Sequence, residues 1–215
     1  MSADATVNPS TDPLAALRRF ARPRRSVEQC ELCSVELGPD HEHLVEPATR
    51  KLLCACNACA ILFGNKEAAN FRRVPRRVRL LDHFRITDEQ WDSLMIPIGL
   101  SFFFHSSPAG RVVAVYPSPG GPMESLLELT AWRDLARDNP ELQTLEPDTE
   151  ALLVNRIGAA RAYYLVPIDE CYKLVGLIRM HWHGLSGGKA VWEQIDQFFA
   201  ALQARAASSR RRGHA

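Results

Sequence analysis

Cys30-Glu31-Leu32-Cys33 and Cys54-Ala55-Cys56-Asn57-Ala58-Cys59 decide how the first third of this chain must fold. Each stretch contains a C-x-x-C step, Cys30/Cys33 and Cys56/Cys59, with residues 34–55 between them. Each step sets two thiolates on one tight turn, and two steps together offer four sulfurs to a tetrahedral ion. The spacing predicts a zinc-ribbon-like module over 26–75, with Cys30, Cys33, Cys56 and Cys59 as metal ligands. The intervening length suits a hairpin, with His43-Leu44-Val45 and Lys51-Leu52-Leu53 as its strand pieces. Zn2+ is the expected ion. Iron is the alternative, because rubredoxin-type sites use the same four sulfurs. Ser34 and Ala60 stand where such iron sites place a glycine after the second cysteine, and this does not decide between the two metals.

Cys54 is surplus to a tetrahedral site. It reads as a buried thiol first, and otherwise as an alternative ligand or the donor of a second function such as redox exchange or metal handover. His41 and His43 lie between the cysteine pairs. With four thiolates already present, they are expected to be surface turn residues rather than ligands.

The 215 residues suit one ordinary domain with a small appended module. Hydrophobic residues are 46% and charged residues 24%, enough to bury a core without disulfides. A net charge of +1 gives no global attraction to nucleic acid or anionic lipid. No apolar run reaches the ~18–20 residues that cross a bilayer. Neither arginine pair near the start, Arg18-Arg19 or Arg24-Arg25, precedes a long apolar run of the kind a secretion signal carries. The expected location is the cytoplasm, where clustered cysteines point to metal before disulfides.

Around the module, 1–25 read as a flexible arginine-rich leader and 208–215 as a flexible basic tail. Residues 76–207 read as an α+β domain with antiparallel hairpins and C-terminal helices. Thr87 is the N-cap and Gln90 the capping-box partner of a short helix. Ile98 to Phe104 alternate as a strand with one apolar face, followed by a hairpin partner at Arg111 to Tyr116. Pro117 to Pro122 should end both elements as a loop. A short helix follows around Ala131–Asp138. Leu152 to Ile157 and Ala162 to Val166 form a second hairpin. Ile168, Cys171, Val175, Ile178 and Trp182 share one helical face, and Val191, Ile195, Phe198 and Leu202 another.

Several features tempt toward other functions. Gly184-Leu185-Ser186-Gly187-Gly188 matches the G-x-S-x-G nucleophile elbow, but that motif needs a preceding strand and a downstream histidine within the fold. A turn between helices is the expectation, and no catalytic residue is assigned. Asp169 and Glu170 fit the first turn of a helix, and Cys171 its buried stripe. Arg72, Arg73, Arg76 and Arg77, beside Phe71, form a basic run that reads as a docking face for an acidic partner. Nucleic acid is the lesser reading, given the balanced charge.

The cysteine stretches, Tyr116-Pro117-Ser118-Pro119, Tyr164-Leu165-Val166-Pro167-Ile168-Asp169-Glu170-Cys171-Tyr172 and Gly184-Leu185-Ser186-Gly187-Gly188 together resemble a bacterial family of unknown function. Trp182 and Ile195-Asp196-x-Phe198-Phe199 extend the resemblance, which covers about residues 15 to 205. Members of that family lie beside genes of the oxygen-insensitive, high-affinity class of nickel–iron hydrogenase. The resemblance implies a non-enzymatic metal-binding accessory protein, with a hydrogenase component or maturation protein as partner. A rubredoxin-like electron carrier and a zinc-ribbon nucleic-acid binder are the alternatives.

Overall fold

The computed structural model describes residues 27–64, 70–125, 129–184 and 186–212. The arginine-rich leader expected at 1–25 lies outside the described residues. Within them the protein is mixed α+β, with two antiparallel sheets and five α-helices.

The N-terminal sheet has strand order β2-β1-β3, from β1 (Glu42–Glu46), β2 (Lys51–Ala55) and β3 (Arg72–Arg73). The β1–β2 hairpin is the one expected, in a register that sets His43 opposite Cys54 and Leu44 opposite Leu53. Strand side chains alternate between faces, so this hairpin has two apolar sides. Leu44, Leu53 and Ala55 pack with Cys30, Cys59 and Ala60 into a small cluster of their own. Val45, with Leu52 against it, instead belongs to the main core of the protein. The second C-x-x-C step does not stay a loop: α1 (Asn57–Gly64) starts within it.

The larger sheet runs β4-β9-β8-β5-β6-β7. Its strands are β4 (Arg79–Leu80), β5 (Leu100–Ser106), β6 (Arg111–Ser118), β7 (Gly121–Ser125), β8 (Glu150–Asn155) and β9 (Ala162–Pro167). Both expected hairpins form, β5 with β6 and β8 with β9, and β5 also pairs with β8. The strand at β5 was expected to have one apolar face, yet it is buried on both. Phe102 and Phe104 meet α4 (Ile168–His181) and α5 (Gly188–Arg212), which cover one side. Phe103 points the other way, toward Trp91 of α2 (Asp88–Ser93) and Trp132 of α3 (Leu129–Asp138). Ile98 lies before the strand and is 40% exposed, so the alternation begins at Leu100. A sheet covered on both sides removes the need for a polar face on its central strands.

Pro117 to Pro122 corrects a second expectation. Instead of ending both elements, Pro117 and Pro122 pair across a tight turn and join β6 to the edge strand β7. A proline is tolerated there because an edge position does not need every N–H. Gly121 supplies the turn with a φ of 125°, and Ser118 Oγ donates to its carbonyl at 2.8 Å. The capping box at α2 forms as read, with the Gln90 amide donating to Thr87 Oγ1 at 3.1 Å. The two C-terminal helices form on the faces read from the sequence, except that Trp182 lies past the end of α4 in extended backbone, and α5 runs on to Arg212, into residues expected to be a loose tail.

The pairing of Phe102 with both Val115 and Leu153 makes it the centre of the sheet. Phe102→Ala should lower unfolding free energy by about 3–5 kcal/mol in a denaturant titration, whereas Met123→Ala on the edge strand should change it by less than about 0.5 kcal/mol.

Candidate metal centre

The first C-x-x-C step is a knuckle held by its own backbone. The Ser34 amide donates to the Cys30 carbonyl and the Cys30 amide to the Val35 carbonyl, both at 2.8 Å, with Ser34 at a φ of 62°. Glu31 ties this knuckle to β2. Its amide donates to the Cys54 carbonyl at 2.9 Å, and its carboxylate accepts from the Cys54 amide at 2.8 Å. The second step closes through α1, whose start aims the Cys59 amide at Cys56 Sγ, 3.4 Å away.

These turns bring Cys30, Cys33, Cys56 and Cys59 together, with their sulfurs all within 4.8 Å of one another. Cys33 and Cys56 Sγ are 3.7 Å apart. Four sulfurs at about 2.3 Å from a central zinc stand about 3.8 Å from each other, so the arrangement fits such an ion. Cys30 and Cys59 are buried and Cys33 faces solvent. Burial pushes the Cys30 thiol up, but amide N–H groups of Cys56, Leu32 and Cys33 outweigh it and bring the group down to about 6. Burial and the neighbouring thiols push Cys59 up to about 12. A cation among the sulfurs would relieve the second effect and use the first, because thiolates are the ligand form.

Cys54 lies outside this group. Strand alternation sends its side chain to the face opposite Leu53 and Ala55, away from the four-sulfur cluster and toward His43. There Cys54, His41 and His43 place their ligand atoms within 4.8 Å of one another. Burial and the nearby Glu28 and Glu31 carboxylates raise the Cys54 thiol. His43 Nδ1 meets Asp169 Oδ2 at 2.6 Å, and that hydrogen bond raises the imidazole against the effect of burial. Of the histidines expected as surface turn residues, His43 is tied to the domain through Asp169, and the His41 side chain is only 8% exposed. Asp169 was legible only as a helix-dipole residue. Its partner lies 126 residues away, and no local pattern carries that signal.

The arginines of the run expected as a docking face have acidic partners within their own chain. Arg72 pairs with Asp148 at 3.1 Å, Arg73 with Glu42 at 2.9 Å and Arg76 with Glu42 at 3.2 Å. Arg77 grips Glu150 through two hydrogen bonds, at 2.8 and 3.1 Å, and reaches Glu146 at 3.2 Å. The Arg73 hydrogen bond holds the Glu42 carboxyl below its usual range. Arg72 reaches from β3 to Asp148 just before β8, while Arg73 and Arg76 gather on Glu42 of β1. Cys171 is fully buried in the main core, as its place on the helix stripe implied.

Gly184, Gly187 and Gly188 all have positive φ, in a turn between α4 and α5. A Cβ at Gly187 would come within 2.8 Å of the Val191 side chain, which explains glycine there without a nucleophile. The element before this turn is a helix, not the strand that an elbow requires.

The fold and the cysteine cluster together define a mixed α+β protein with four cysteines gathered in its N-terminal region. The chain belongs to a family of unknown function, DUF5947, whose model matches residues 29–206. No curated protein and no solved structure matches it. No helix among the described residues is long and apolar enough to cross a membrane.

Glu150 is fully buried, and Arg77 is the cation that neutralises it. Arg77→Ala should destabilise the protein by about 3 kcal/mol by stranding that carboxylate. Arg137→Ala should cost no more than about 1 kcal/mol, since that guanidinium and its partner Asp134 are both exposed. Thermal or denaturant unfolding of the two variants compares them directly.

Proposed function

We propose that this protein is a non-enzymatic zinc-binding accessory factor that acts in the cytoplasm in the assembly or maturation of a nickel–iron hydrogenase. The observation that carries the metal part is the meeting of four thiols, from two C-x-x-C turns, within 4.8 Å. Four protein ligands fill a tetrahedral ion and leave no position for a substrate, which is the character of a structural zinc rather than a catalytic one. Among the described residues, the buried members of the cluster around the thiols are Cys30, Leu44, Leu53, Ala55, Cys59 and Ala60. So few residues supply little folding energy, and a bound ion would contribute the rest.

The hydrogenase part rests on the family resemblance, in which members lie beside the genes of that enzyme. It names the process and leaves the individual partner to experiment.

Metal analysis of the purified chain should give zinc bound through Cys30, Cys33, Cys56 and Cys59 and a colourless protein; a red ferric-tetrathiolate spectrum would turn the reading to an electron carrier. A Cys30→Ser/Cys59→Ser double variant should lose that zinc and show fast hydrogen exchange over 27–64, with the larger sheet still protected. Retention of the metal by this variant overturns the site. Deleting the gene in its host should lower hydrogen uptake and leave immature hydrogenase subunits on native gels, with growth on organic carbon nearly normal. Wild-type uptake in the deletion strain would remove the accessory role.

A further inference from the structure

The face of the β1–β2 hairpin that turns away from the tetrathiolate carries a second constellation. His41 and His43 bring their Nε2 atoms to 3.2 Å from each other, beside the sulfur of Cys54. The opposite nitrogen of each ring is already committed. His43 Nδ1 faces the Asp169 carboxylate at 2.6 Å, and His41 Nδ1 faces the Gly38 carbonyl at 3.0 Å and the Glu28 carboxylate at 3.4 Å. All of these partners are acceptors, so both Nδ1 atoms must carry the ring proton. In the neutral rings, both Nε2 atoms then present lone pairs to each other across 3.2 Å. Two facing lone pairs repel unless a proton or a metal ion lies between them.

Such a tautomer lock, with a carboxylate or carbonyl behind each imidazole, is how proteins orient histidines that ligate metal. The spacing also fits. Two nitrogens bound at about 2.0–2.1 Å to one tetrahedral ion are about 3.3 Å apart. Register adds the third donor, since His43 and Cys54 are directly opposed on paired strands.

We propose that His41, His43 and Cys54 form a second metal site, for a divalent first-row transition ion of zinc-like softness. Two imidazoles and one thiolate make three ligands, which leaves a fourth coordination position open. On binding, the ion takes the two Nε2 lone pairs and the Cys54 sulfur, and the thiol proton leaves to solvent. His41, His43 and Asp169 line a cleft of about 380 Å³, with Arg76 and Lys173 on its walls. The site joins the small sheet to the N-terminal turn of α4, because Asp169 belongs to the domain and the three ligands to the module. It goes beyond the structural zinc and does not depend on it: no ligand is shared.

The test uses the full chain, equilibrated anaerobically with excess Zn2+ and freed of unbound ion by gel filtration. Wild type should retain two zinc per chain. A His41→Ala/His43→Ala variant should retain one, and Cys30→Ser/Cys59→Ser should lose the other, so each site is counted separately. Co2+ added to protein with zinc already in the tetrathiolate should give a four-coordinate spectrum whose single thiolate charge-transfer band disappears in Cys54→Ser. Asp169→Asn, which keeps all three ligands, should weaken that Co2+ binding about 10–100-fold. The proposal is overturned if wild type holds one zinc and the histidine variant holds the same one. It is equally overturned if a second equivalent binds but survives the His41, His43 and Cys54 substitutions unchanged, since that ion is then elsewhere.

Discussion

The two-residue side-chain period of the β1–β2 hairpin is the constraint on which the N-terminal part of this protein depends. Five short residues of each strand have to serve two environments at once. Leu44, Leu53 and Ala55 face the four cysteines, while Val45 and Leu52 face the domain core. A slip of one residue in either strand would exchange these faces and put His43 and Cys54 among the apolar contacts of the cluster. Register is therefore fixed from both sides, by the thiols on one and by the domain on the other.

The same period accounts for the fifth cysteine. Sequence spacing alone sets Cys54 two residues from Cys56 and makes it look like a spare member of one group. Inside a strand it belongs to the other face, and only after the strand ends at Ala55 does the chain turn Cys56 and Cys59 toward Cys30 and Cys33. Two donor sets of different chemistry thus arise from one short run. A tetrathiolate is closed and holds its ion strongly, whereas a three-ligand set of nitrogen and sulfur exposes a coordination position.

The attachment between module and domain is electrostatic as well as apolar. Arg72 on β3 pairs with Asp148 just before β8, Asp169 on α4 reaches His43 on β1, and Arg77 closes over the buried Glu150. The first two contacts cross from the small sheet to the larger domain, so the module is not a bead on a linker. Surface ion pairs contribute little alone. Arg77 and Arg72 differ because their partners, Glu150 and Asp148, are buried away from water.

What the sequence determined by itself was whatever rests on local spacing. The C-x-x-C steps fixed the four-thiol group, the alternation at 43–45 and 51–53 fixed the hairpin, Thr87 and Gln90 fixed a helix start, and the stripe from Ile168 to Ile178 fixed α4. What required the tertiary structure was every fact made by residues far apart in the chain. β5 looked half-exposed because a strand covered on both faces cannot be told from its own few residues when Ser101 and Gly99 interrupt it. The arginines looked free because their acids lie at positions 42, 146, 148 and 150, two of which β8 and the turn before it bury. His41 and His43 looked like turn residues because the carboxylate that orients one of them arrives on α4, brought by the packing of the domain against the hairpin. Charge pairs and ligand sets are matters of distance in space, and spacing along the chain reports that distance only within one element or one tight turn.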